Sequence, residues 1–165
     1  MPKGFGRIGI AALLVAALLL AWRWQAERRP RDPVIVMVLG DARLPSLPGH
    51  RTSPHPAHVV NLFASWCVPC RVEAPALAAL ARSGVAIDGI AVRDDPAAVR
   101  AFLASSDPFA SVSLDPRGTV QSALHVNGLP ETYVVDGAGF IVFRHRGPVG
   151  PDDVAILRKR VALSQ

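Results

Sequence analysis

Asn61-Leu62-Phe63-Ala64-Ser65-Trp66-Cys67-Val68-Pro69-Cys70 contains both cysteines of the chain, Cys67 and Cys70, in a C-x-x-C spacing. Val59 and Val60 lead into it. With Leu62, Phe63 and Ala64 they make a short apolar run, β-branched at its start, which predicts a buried strand over residues 59–64. Residues 71–82 are rich in Ala and Leu and predict a helix. The cysteines therefore fall where a strand ends and a helix begins. The unpaired N–H groups of a helix's first turn favour negative charge, so a thiolate placed there has a lowered pKa. The thiolate is the reactive form, and a second thiol close behind it can resolve a mixed disulfide.

Three chemistries share this spacing. A zinc site needs two further ligands; His55 and His58 are the nearest candidates, but the strand between them and Cys67 carries them away. A structural disulfide between Cys67 and Cys70 closes a very small loop and constrains the unfolded chain little. A redox pair is the third reading, and it is the one the strand–helix junction favours.

Trp66-Cys67-Val68-Pro69-Cys70 resembles the active site of the thioredoxin superfamily, and Pro75 sits where that superfamily kinks its first long helix. A proline there deletes one intrahelical hydrogen bond. Within the superfamily, Cys70-Arg71-Val72-Glu73-Ala74-Pro75 resembles the membrane-anchored periplasmic reductases, which carry a glutamate at the position of Glu73. Val126-Asn127-Gly128-Leu129-Pro130-Glu131-Thr132-Tyr133 resembles their second signature, in which a cis-proline faces the cysteines. The Gly-x-Pro-Glu-Thr form is most similar to the cytochrome c maturation thiol-disulfide oxidoreductases, the DsbE/CcmG type. The resemblance runs from about Gly40 to the C-terminus. It implies an α/β, thioredoxin-like fold over residues 31–165, a central mixed sheet flanked by helices.

Composition narrows the function. The chain has 165 residues, half of them hydrophobic, and a net charge of +5, enough for one domain plus a small segment. Residues 1–30 hold Lys3, Arg7, Arg23, Arg28 and Arg29 against Glu27 alone. The excess charge thus belongs to the N-terminal segment, the rest is nearly neutral, and nucleic-acid binding loses its main support. Residues 8–22 carry no charge. Extended to Trp24 the run approaches the ~20 residues that cross a bilayer, with Arg7 and Arg23 able to snorkel and Trp22 and Trp24 at headgroup level. Arg23, Trp24 and Gln25 stand where a signal peptide would need small cleavage-site residues. Residues 1–30 are therefore expected to be an uncleaved single-pass anchor and linker rather than a cleaved leader. Positive charges on both sides leave orientation open. The resemblance sets it: an inner-membrane protein with its C-terminal domain in the periplasm.

Along the domain, residues 27–33 read as linker, 34–39 as an apolar strand or a continuation of the linker, and 41–49 as a compressed form of the reductases' opening segment. The proline- and histidine-rich 50–58 reads as a solvated loop. A second core strand is expected over 86–92. A helix follows to about Ser105, with Asp95 as N-cap and Pro96 at its first position. A short strand at 112–114, a turn at 115–118 and a short helix at 120–124 come next. Strands at 132–135 and 140–143 are joined by the hairpin signal Asp136-Gly137-Ala138-Gly139. A last helix opens at Pro151 and ends near Leu163, its Arg158-Lys159-Arg160 complementing the helix dipole.

At the site, Cys67 is expected as nucleophile and, by the resemblance, as the more exposed sulfur; Cys70 resolves. Pro69 has no N–H to offer a sulfur, which limits thiolate stabilisation and, by analogy, keeps the couple reducing. Glu73 shares a helix face with Cys70 and is either its proton acceptor or an ordinary solvated acid. Alignment on Trp66-Cys67 puts Asn61 where thioredoxins carry a buried aspartate, and an amide cannot titrate. The resemblance makes Trp66, Leu129, cis-Pro130 and Glu131 substrate-binding, though for Glu131 an ordinary loop acid is an equal reading. It implies no cofactor or metal beyond the Cys67–Cys70 disulfide. The implied partners are a disulfide-containing apocytochrome c or its assembly factors, and a membrane thiol reductant. A general periplasmic reductase is an alternative, as is a copper-binding assembly factor using His125 and His145.

Overall fold

The computed structural model describes residues 15–21 and 57–165. Residues 15–21 are helical with exposed side chains. Among the described residues no helix is long and apolar enough to cross a membrane. The expected anchor lies mostly outside them. The expected linker, the 34–39 and 41–49 segments and the loop up to residue 56 lie outside them altogether.

Nine elements follow: β1 (His58–Phe63), α1 (Val68–Arg82), β2 (Ile87–Val92), α2 (Pro96–Leu103), β3 (Ser111–Asp115), α3 (Thr119–Ala123), β4 (Glu131–Val135), β5 (Ile141–Arg146) and α4 (Pro151–Ala162). The strands form one mixed sheet in the order β3-β2-β1-β4-β5. β1 pairs parallel with β2 and antiparallel with β4, while β2–β3 is parallel and β4–β5 antiparallel. β1 is central, and five of its six residues are buried. That is why it reads as a continuous apolar run rather than an alternating one.

Alternation along β1 still sorts the core into faces. Val60 and Leu62 pack with Ile90, Tyr133 and the α3 residue Val120. Val59 packs with Leu77 and Leu80 of α1 and Leu157 and Val161 of α4. Phe63 packs with both cysteines and with Val99 and Leu103 of α2. The cysteine pair is therefore part of the apolar core, and α1 follows the strand that leads into it. Loops are closed by carboxylates. Asp95 accepts from the N–H groups of Ala97 and Ala98 at the start of α2. Asp115 accepts from Thr119, Val120 and Gln121 at the start of α3. Each satisfies first-turn donors that have no partner within the helix.

Candidate active site

α1 begins at Val68, three residues before the composition suggests. Cys67 is its N-cap, in extended conformation, and the Cys67 sulfur accepts from the Cys70 N–H at 3.2 Å. Pro69 fits this first turn because its missing N–H would have no intrahelical partner there. Cys67 and Cys70 are joined as a disulfide with their Cα atoms 5.3 Å apart. In this state the sulfurs are not distinguished by exposure: Cys67 is 4% and Cys70 2% exposed. Each shields the other against the Phe63–Leu103 cluster. Exposed apolar surface surrounds them instead, at Trp66, Val68 and Val72.

Cys70, Glu73, Leu77 and Leu80 form the buried stripe of α1. Glu73 therefore points into the protein, beneath Cys70, and is completely buried. Its Oε1 accepts from Asn61 Nδ2 at 3.0 Å, and its Oε2 from the Val149 N–H at 2.9 Å. Loss of solvation pushes the Glu73 carboxyl up to about 7, against the two hydrogen bonds, which favour the anion. The reading of Glu73 as an ordinary solvated acid is thereby excluded. Asn61 Nδ2 also donates to Thr132 Oγ1 on the neighbouring strand β4, at 3.0 Å. Asn61 Oδ1 is buried and has no hydrogen-bond partner among the described residues. A cavity of about 10 Å³, lined by Asn61, Cys70 and Glu73 together with Phe63, Phe102 and Phe109, adjoins these groups. That is about the space one water needs. Thr132 and Val149 escape sequence reasoning because strand pairing and a loop 76 positions away bring them in.

The Leu129–Pro130 peptide bond is cis. Leu129 is half-buried and packs against the cluster that holds both cysteines. The Pro130 carbonyl accepts from the Gly147 N–H at 3.1 Å. Leu129 thus reaches the disulfide's cluster, with Trp66 next to Cys67 along the chain.

Glu131 differs from the sequence expectation. Its side chain is 3% exposed and does not line an open groove. Oε1 and Oε2 accept from Arg144, at 2.5 and 2.9 Å, Oε1 also from Arg146 at 3.2 Å, and Oε2 from the Tyr133 hydroxyl at 3.0 Å. The cause is register. Glu131 faces Arg146 and Tyr133 faces Arg144 across β4–β5, so all four side chains share one face of the sheet. Burial first, and the Glu131 charge second, raise the Tyr133 pKa. Arg146 is the exposed member, at 75%. Among the described residues no group of three or more His, Cys, Asp or Glu could hold a metal ion.

The geometry has counterparts among known proteins. The sequence model of the Redoxin family matches residues 53–160. The thiol:disulfide interchange protein HelX of Rhodobacter capsulatus is 43% identical over 95 residues, 57% of this chain and 54% of that protein. The DsbE homologue of Paracoccus denitrificans is 41% identical over 96 residues, 58% and 53% respectively. The chain thus spans about half the length of the curated relatives it matches. Among solved structures, Mycobacterium tuberculosis DsbF superimposes with a TM-score of 0.61 at 26% identity, over 74% of this chain and 93% of that one. A Chlorobium tepidum structure described as a putative DsbE gives 0.60 at 22%, over 74% and 94%, a likeness of fold.

Proposed function

The chain belongs to the redoxin family, and on that premise we propose that it is a protein-disulfide reductase of the DsbE type, working through Cys67 and Cys70 with no other cofactor. The observation that carries this reading is the Cys67–Cys70 pair at the N-terminus of α1, with a buried titratable acid directly beneath the second cysteine.

In the reduced protein, Cys67 Sγ is the thiolate. It attacks one sulfur of a substrate disulfide; that S–S bond breaks, one substrate thiolate leaves, and a Cys67–substrate disulfide forms. Cys70 then loses its proton toward Glu73, directly or through the adjoining cavity, and its sulfur attacks Cys67 Sγ. The second substrate thiolate leaves. The substrate has gained two electrons, and the protein is left with the Cys67–Cys70 bond, which a membrane thiol reductant reduces again. Asn61 is the hydrogen-bond donor that orients Glu73. Trp66, Val68, Val72 and Leu129 offer apolar surface to the substrate chain, and Pro130 keeps Leu129 extended beside the disulfide. Glu131 acts through Arg146, the exposed group it holds at the edge of this region.

The reading extends to the cell. The domain is periplasmic, tethered by residues 1–30, and its substrate is an apocytochrome c or an assembly factor bearing one. Support comes from the uncharged run 8–22 between Arg7 and Arg23 and from the Gly128-Leu129-Pro130-Glu131-Thr132 resemblance. Haem attachment needs both thiols of a C-x-x-C-H site reduced, in a compartment kept oxidising.

The direct test is stoichiometric. Reduced full chain, mixed with a peptide holding an oxidised C-x-x-C-H site, should yield two peptide thiols for each Cys67–Cys70 disulfide formed. Cys67→Ser should yield none. A parent protein that leaves the peptide oxidised would refute the activity.

A further inference from the structure

The loop between β2 and α2, Arg93-Asp94-Asp95, has one clear local duty: Asp95 caps α2. Asp94, beside it, caps nothing in its own helix. Its carboxylate reaches 29 positions back to the turn that delivers Cys67. Oδ2 accepts from the Ser65 N–H, and Oδ1 accepts from the Ser65 hydroxyl at 2.8 Å and from the Asp95 N–H at 2.8 Å. The same turn is held at two more points. The Ser65 carbonyl accepts from Arg71 Nη2 at 2.5 Å, and the Trp66 indole N–H donates to the Arg93 carbonyl at 3.3 Å. Ser65 N, O and Oγ are thus all engaged from outside the turn.

The far side of this arrangement is itself held in place. Arg93 has φ +49°, a left-handed backbone rare for a residue with a side chain. Its N–H donates to the Asp115 carbonyl at 2.9 Å. Its side chain lies against Gly118, where an added Cβ would collide with Arg93 Nε. Arg71 is seated over the Phe102 ring of α2, 5.3 Å from its centroid. The outlier therefore belongs to a brace that runs from β3 and α2 to the redox turn.

We infer that Asp94 is a positioning residue for the redox reaction: by pinning Ser65 it fixes Cys67 at the head of α1, where the sulfur meets the Cys70 N–H. This rests on the Cys67–Cys70 activity proposed above. Without the pin, the Cys67 sulfur loses its alignment with the first-turn donors, and the thiolate loses stabilisation. Positioning and charge predict opposite signs. Loss of alignment raises the Cys67 pKa and makes the couple more reducing; loss of the Asp94 anion alone would lower that pKa.

The test compares full-length parent, Asp94→Ala, Asp94→Asn and Ser65→Ala. Two quantities are read: the equilibrium with a glutathione buffer, and the pH dependence of Cys67 alkylation. Asp94→Ala should shift the equilibrium about tenfold toward the disulfide, about 30 mV for a two-electron couple, and move the alkylation midpoint up by about one pH unit. Asp94→Asn keeps an acceptor for the Ser65 N–H and a donor for its hydroxyl, and should stay within about threefold of the parent. Ser65→Ala loses one bond and should shift less than Asp94→Ala, in the same direction; it serves as the test if Asp94→Ala does not fold. Equal shifts in both Asp94 variants, a shift toward the dithiol, or no shift in Asp94→Ala and Ser65→Ala would overturn the role. A parent that does not exchange with glutathione would instead overturn the redox reading.

Discussion

Glu73 is a carboxylic acid placed where its anion is costly. Its pKa of about 7 stands above an unperturbed value of 4.5, so the folded state holds a proton that the unfolded chain has released. The stability this contributes is fully present below about pH 4.5 and is lost as pH rises through about 7. A shift of this size corresponds to about 3 kcal/mol. Urea unfolding of the oxidised protein between pH 4.5 and 8 should therefore show stability falling with pH. Glu73→Gln should remove that slope while leaving the disulfide formed. Parallel curves for parent and variant would mean that Glu73 is not the titrating group. In the proposed mechanism the same proton serves the reaction. An acid half-ionised near neutral pH can both take the Cys70 proton and return it, a task Asn61 cannot perform.

At the scale of elements, the proposed assignment of the attacking cysteine follows from α1. Cys67 caps the helix and is flanked by exposed Trp66 and Val68, whereas Cys70 lies inside the first turn on the buried stripe with Glu73. Cys70→Ala should therefore accumulate mixed disulfides with substrate, resolved by gel under non-reducing conditions, and Cys67→Ala should not. Equal trapping by the two variants would reverse or erase the assignment. The placement of α1 after a buried strand was legible in the sequence, because apolar runs, Asp95-Pro96 and the Asp136–Gly139 hairpin signal are local. The start of α1 was not. Helix composition begins at Arg71, but the helix extends back to Val68 because the Cys67 sulfur supplies a cap. Register was also hidden. Nothing near Glu131 announces that Arg146 will face it on β5, with Arg144 on the same face of the sheet, or that it will be buried. Asp94 was hidden for a further reason: its neighbour Asp95 has a complete local explanation, and only the tertiary fold brings Ser65 within reach.

For the molecule as a whole, the question is why a nearly neutral redox domain should follow a basic, apolar N-terminal segment. A diffusible reductant in an oxidising compartment is oxidised before it meets its target, because every exposed disulfide and oxidase competes for its thiols. In the proposed arrangement, a tether raises its effective concentration at one membrane-bound machine and at a membrane reductant. The tether and the cytochrome role thus form one hypothesis with two separable measurements. The mature protein should retain residues 8–24 and sediment with membranes; an N-terminus near Ala26 would replace the anchor by a cleaved leader. Cells lacking this chain should lose covalently bound haem from c-type cytochromes, and added small thiols should restore it, since the missing function is delivery of two electrons to a C-x-x-C-H disulfide. Complementation by the parent but not by Cys67→Ser would place the defect at this site. Normal haem staining in the deletion strain would remove the cytochrome role and leave a reductase with other substrates. Haem loss that small thiols do not repair would mean the chain serves assembly by something other than reduction.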